Sequence, residues 1–167
     1  AETGKGIKRA LAAWLKEFKR SLFFRRLLAL TFYTSLVLFR TLLNRKLWLN
    51  PLSDVCGGWS LWTINANGVR VLTTDSVENV LMLLPFTMLL MWAAKDKILK
   101  KVTFAGIVKS SFKTAFLFSL SVELLQLFLR VGTFQLSDIC YNTLGGIIGG
   151  VIYGAVWKIK SRKKMES

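Results

Sequence analysis

The sequence predicts an all-α integral membrane protein in which four transmembrane helices follow an amphipathic interfacial helix. Three observations carry that expectation. First, 53% of the 167 residues are apolar although the net charge is +15, and the mean hydropathy is +0.44. Second, four stretches approach the roughly 20 residues that a helix needs to cross a hydrocarbon core of about 30 Å. Third, Lys and Arg fall in blocks between those stretches, as they do in membrane proteins. Lipid offers the backbone no hydrogen-bond partner, so each span must be helical.

The composition also excludes. A pI near 10.3 would ordinarily point to nucleic acid, but the block layout of the charges argues against it, and no nucleic-acid partner is expected. No histidine and only two cysteines remove a His-based zinc site, a His general base and a disulfide framework.

In chain order, residues 1–4 (AETG) read as an expression remnant and carry no weight. Residues 5–26 form a basic cytoplasmic helix: Ile7, Leu11, Trp14, Leu15, Phe18 and Leu22 share one face, while Lys8, Arg9, Lys16, Lys19 and Arg20 fall largely on the other. Such a helix anchors to anionic lipid at about 1 kcal/mol per basic residue. A solvated arm without a lipid role is the alternative.

The membrane domain covers residues 27–157. Its spans run from about Leu27 to Trp48, Ser76 to Ala94, Ile107 to Arg130 and Ile139 to Trp157, and a basic cytoplasmic tail, 158–167, follows. Between spans one and two, Trp59 to Ile64 and Val69 to Thr74 flank NANG, which predicts a short hairpin turning at Asn67 and Gly68. Trp59 and Trp62 suit the headgroup layer. Cys56 lies in this loop and Cys140 just inside span four, so sequence leaves a bridge between them open.

Orientation follows from charge. The segment before span one, the loop between spans two and three together with the first two turns of span three, and the tail hold 19 of the 24 basic residues. With four spans these segments share one side, and the positive-inside bias makes that side the cytoplasm.

Polar residues within the spans then converge at one level. Ser119, Glu123, Gln126 and Arg130 are spaced four, three and four apart, which places them on one stripe of span three. Span two begins with Asp75, Glu78 and Asn79, span four with Asp138 and Asn142, and span one carries Arg40 in its outer half. Arg40 and Arg130 oppose Asp75, Glu78, Glu123 and Asp138, a formal surplus of two negative charges in a strongly basic chain. Protonation, a metal ion or an ammonium-bearing ligand would each balance it. Intramembrane charge costs about 2.5–3.5 kcal/mol per residue and usually marks a site, so these residues predict an outward-facing polar pocket. The competing expectation is structural pairing, for example of Arg40 with Glu123.

Other features read as structural. Gly145, Gly146, Gly149, Gly150 and Gly154 supply small residues four apart for close helix approach. Pro85, inside span two, cannot donate to the carbonyl of Leu81, which predicts a kink.

Two segments, ENVLMLLPFTMLL (78–90) and SVELLQLFLRVGTFQLSDICYNTLGGIIGGVIYG (121–154), resemble the signature segments of VanZ-like membrane proteins. In that family an Asn and a Pro-Phe mark the second span, Glu-x-x-Gln the third and Asp-x-x-x-Asn-x-x-Gly-Gly the fourth. LVLFRTLL (36–43) and LNPL (49–52) are similar to the family's first span and the short Pro-containing segment after it. The pattern marks Arg40, Asn79, Pro85, Glu123, Gln126, Asp138 and Asn142, and departs at Thr87, where the family often has Gly.

The resemblance implies a bacterial envelope protein that lowers susceptibility to teicoplanin, a lipid-tailed glycopeptide acting at the outer face of the membrane. The expected partners are membrane lipids, with anionic lipid at the N-terminal helix, and a lipoglycopeptide or cell-wall precursor in the pocket. The enzyme alternative has Glu78, Glu123 and Asp138 acting as acid, base or metal ligands on a lipid-linked cell-wall or teichoic-acid intermediate. No nucleophile motif or His cluster supports it, and no cofactor is assigned.

Overall fold

The computed structural model describes residues 2–43, 47, 49–60, 62–64 and 67–165, with side chains for all of these except 2–5 and 164. Trp48, Leu61, Asn65 and Ala66, which sequence placed in span one and the hairpin, lie outside the described residues, as do the side chains of Lys5 and Lys164.

Helix α1, Glu2–Arg20, ends where Ser21 takes an extended conformation and its hydroxyl accepts the Phe24 amide at 3.1 Å. A serine oxygen satisfies an amide that the first turn leaves open, so one helix stops and the next starts. The break falls a few residues earlier than the apolar face alone suggests, and the first span begins at Leu22 rather than Leu27. Ile7, Leu11, Trp14, Leu15 and Phe18 remain exposed on α1, an uncovered apolar face opposite the basic one.

Helix α2, Leu22–Leu38, widens into a π-helical turn over Phe39–Leu43. Helices α3 (Asp75–Ile98), α4 (Phe104–Leu129) and α5 (Leu136–Met165) follow, and all four are long and apolar enough to cross a membrane. α3 remains a single helix through Pro85. α5 is the central element, with 44% of its apolar window inside the protein, whereas the first span, with 6%, is peripheral.

Glycines give α5 that place. A Cβ on Gly145 would overlap the carbonyl of Val80, and one on Gly149 the carbonyl of Leu84, so this pair seats α3. Gly146 faces Ala115 and Gly150 faces Ser111, so the second pair seats α4. Without a hydrophobic drive between helices in lipid, such close approach is what holds them together. Thr87, where the sequence departs from the family pattern, is fully buried and donates to the Gly146 carbonyl at 3.0 Å, adding a hydrogen bond to the α3–α5 seam. Val37, Leu83, Phe86 and Ala115 form the apolar core, with Phe86 and Phe118 ring centroids 4.6 Å apart.

Strands β1 (Trp62–Ile64) and β2 (Arg70–Leu72) pair antiparallel, Thr63 opposite Val71, and form the expected hairpin. The two inter-helix loops at this end clasp each other, as Phe134 N donates to Pro51 O at 2.8 Å and Leu136 N, at the start of α5, to Val55 O at 3.0 Å; Tyr141 Oη, on α5, donates to Trp59 O at 2.9 Å. Cys56 and Cys140 are separate exposed thiols.

Candidate functional site

The clasped loops roof a polar chamber of about 320 Å³ lined by Arg40, Asp75, Glu78, Asn79, Thr133, Gln135 and Asp138. Local folding explains the carboxylates: Asp75 and Glu78 occupy the first turn of α3 and Asp138 the first turn of α5. Free amides and the helix dipole favour negative charge there. Two cavities adjoin the chamber. One of about 310 Å³ shares Arg40, Glu78 and Asn79 with it and continues past Tyr33, Leu81 and Met82. The other, about 270 Å³, shares Asp75, Gln135 and Asp138 and lies among Asp54, Ser60, Trp62 and Thr63.

The walls are cross-linked. Arg40 Nη2 bonds Glu78 Oε2 at 2.9 Å with both side chains more than half exposed. Asn79 Nδ2 donates to Asp138 Oδ1 at 2.7 Å, joining α3 to α5. Gln135 Nε2 donates to Asp54 Oδ2 at 2.7 Å, joining the two loops. Sequence offered Glu123 as an example of a partner for Arg40; the structure supplies Glu78, one turn into the adjacent helix.

Beneath the chamber lies a buried polar layer. Glu123, Gln126 and Asn142 are 2%, 1% and 4% exposed. Glu123 Oε2 accepts the backbone amide of Gln135 at 3.1 Å and so fixes the loop that returns to α5. Gln126 Nε2 donates to the Thr41 carbonyl at 2.8 Å. Thr41 lies in the π-turn of Phe39–Leu43, a feature found often at functional sites. Asn142 Nδ2 donates to Ser119 Oγ at 3.1 Å, across α4 and α5. Gln126 Oε1, Asn142 Oδ1 and Ser137 Oγ find no hydrogen-bond partner among the described residues.

Of the nine residues that sequence assigned to the pocket, Arg40, Asp75, Glu78, Asn79 and Asp138 line the chamber, and Glu123, Gln126 and Asn142 support it from below. Arg130 does neither. α4 ends at Leu129, and Arg130 turns left-handed (φ 54°, ψ 41°) and is exposed, while the next amide, Val131 N, bonds Gln126 O at 3.0 Å. That closure of the helix end takes Arg130 off the stripe that Ser119, Glu123 and Gln126 keep.

Sequence missed Gln135, Thr133, Asp54, Thr41 and Tyr33. Gln135, Thr133 and Asp54 sit in loops, where no helical period marks a facing side, and the Thr41 contribution includes a backbone carbonyl that no side-chain pattern reveals. Among the described residues no three His, Cys, Asp or Glu side chains group as a metal-ligand set.

A family model described as VanZ/LLP1 matches residues 21–158. Protein VanZ of Enterococcus faecium is 27% identical over 92 residues, which is 55% of this chain and 52% of that protein. The chain thus spans about half the length of that curated relative. No solved structure matches.

Proposed function

This chain is a multi-pass membrane protein of the VanZ/LLP1 family, and we propose that it lowers the susceptibility of a bacterial envelope to teicoplanin-type lipoglycopeptides by holding an envelope component, or the drug itself, in its polar chamber. The chamber carries the reading: five ionisable or amide side chains from three helices, Arg40, Asp75, Glu78, Asn79 and Asp138, meet Gln135 around one space of about 320 Å³. Ionisable groups in membrane spans are costly and usually mark a site.

In this reading both termini are cytoplasmic, because 19 of the 24 basic residues fall in the stretch up to Arg26, between Lys95 and Lys113, and from Lys158 onward, while the chamber is lined from other segments. The chamber then opens outward, on the side where a lipoglycopeptide acts.

The test is Asp138→Asn, which keeps an oxygen to accept the Asn79 amide and removes the charge. In a host protected by the parent chain, the variant at equal membrane abundance should return teicoplanin susceptibility to that of cells lacking the protein. Full protection by Asp138→Asn and by Asp75→Asn, together and singly, would refute the chamber as the working site.

A further inference from the structure

On the side of α2 and α3 a second cavity adjoins the chamber and shares Arg40, Glu78 and Asn79 with it. The adjoining cavity of about 310 Å³ descends from Glu78 to Met82 on one wall and from Thr41 to Tyr33 on the other, passing from charged to apolar lining. Leu81, at its edge, is 57% exposed on the outer surface of the bundle, where a membrane protein meets acyl chains. Two bonds bracket this cleft. Arg40 meets Glu78 at 2.9 Å above, and Tyr33 Oη donates to Met82 O at 2.9 Å below. The α2 wall belongs to the least embedded of the four spans.

Charge defines the other half of the occupant. Among the described residues, the chamber lining holds one basic group, Arg40, against Asp75, Glu78 and Asp138, and the cavity beyond adds Asp54 with no basic side chain in its lining. A space walled mainly by carboxylates attracts cations. A water-soluble cation would gain nothing from the apolar flank, and a bare acyl chain nothing from the carboxylates. The two features adjoin at a shared wall of Arg40, Glu78 and Asn79.

We propose that the occupant is a membrane amphiphile with an ammonium-bearing headgroup, which enters sideways between α2 and α3. Its headgroup lies among Asp75, Glu78 and Asp138, and its apolar part along Tyr33, Leu81 and Met82. This rests on the reading of the chamber as the working site and names the ligand class and its route.

The experiment places a benzophenone-bearing residue at position 81 of the full chain in vesicles of equal parts phosphatidylethanolamine and phosphatidylglycerol. The same residue at position 117, on α4, is the control, because Leu117 is equally exposed but away from the cleft. After irradiation the attached lipids are identified by mass spectrometry. The ratio of phosphatidylethanolamine to phosphatidylglycerol should be several times higher at position 81 than at 117, and Asp138→Asn should bring it down to the control value.

Equal ratios at the two positions, or phosphatidylglycerol enriched at 81, would overturn the proposal, as would enrichment that survives Asp138→Asn. Teicoplanin susceptibility of the same variants separates the two readings. Lost protection with equal lipid ratios leaves the chamber's function standing and removes the lateral ligand. Enrichment at 81 that Asp138→Asn abolishes, with teicoplanin protection intact in that variant, keeps the lateral ligand and removes the resistance role.

Discussion

Adding one methyl group to Gly145 should spread α3 from α5 and open the floor of the site. In a helix, Ala in place of Gly gains about 1 kcal/mol from propensity alone. At Gly145, however, the new Cβ would overlap the carbonyl of Val80 and lie 3.0 Å from its Cα. The obstacle is backbone rather than the end of a flexible side chain, so the two helices must separate. Overpacking of this kind costs about 1–3 kcal/mol, and the upper end applies where nothing can rotate away. Separation also strains the buried Thr87–Gly146 hydrogen bond of 3.0 Å, which contributes about 1 kcal/mol.

Gly145→Ala should therefore lose about 2–3 kcal/mol in net stability. Denaturant-driven unfolding of the purified protein in detergent measures this. Gly6→Ala, where nothing lies within 4 Å of the added carbon, serves as the comparison and should be neutral or slightly stabilising. The same movement pulls Asn79 from Asp138, now 2.7 Å apart, so on the proposed function protection against teicoplanin should fall together with stability. A Gly145→Ala protein as stable as its parent would refute the seating of α3 on that glycine.

Two further outcomes are expected. In intact cells carrying a variant without Cys140, a membrane-impermeant thiol reagent should label Cys56, which is exposed in the chamber-side loop; protection of Cys56 until the membrane is permeabilised would reverse the proposed orientation. For the α1 arm, replacing Lys8, Arg9, Lys16 and Arg20 with Gln should weaken binding of the full chain's N-terminal peptide to anionic vesicles, more at low salt than at high because screening shortens the reach of charge. Equal binding by both peptides would remove electrostatics from the anchoring.

The sequence by itself determined the elements. Each span had to be a helix of about 20 residues because lipid leaves the backbone no other partner, and hydropathy is read locally, so α3, α4 and α5 begin within three residues of where composition places them. The two-faced α1 and the carboxylates at the starts of α3 and α5 are local features as well.

Tertiary structure decided which polar groups meet. Partner choice depends on the rotation and height of each helix, and the glycines of α5 set both by admitting Val80 and Leu84 on one side and Ala115 and Ser111 on the other. That seating, with the π-turn ending the first span, gives Arg40 to Glu78 and the Thr41 carbonyl to Gln126. It puts Glu123 beneath the chamber, on the amide of Gln135. Arg130 left its stripe because the helix closed one residue before it. Residue spacing gives depth along a helix that continues, but it does not say where the chain turns away, and the loop residues that roof the chamber follow no period at all.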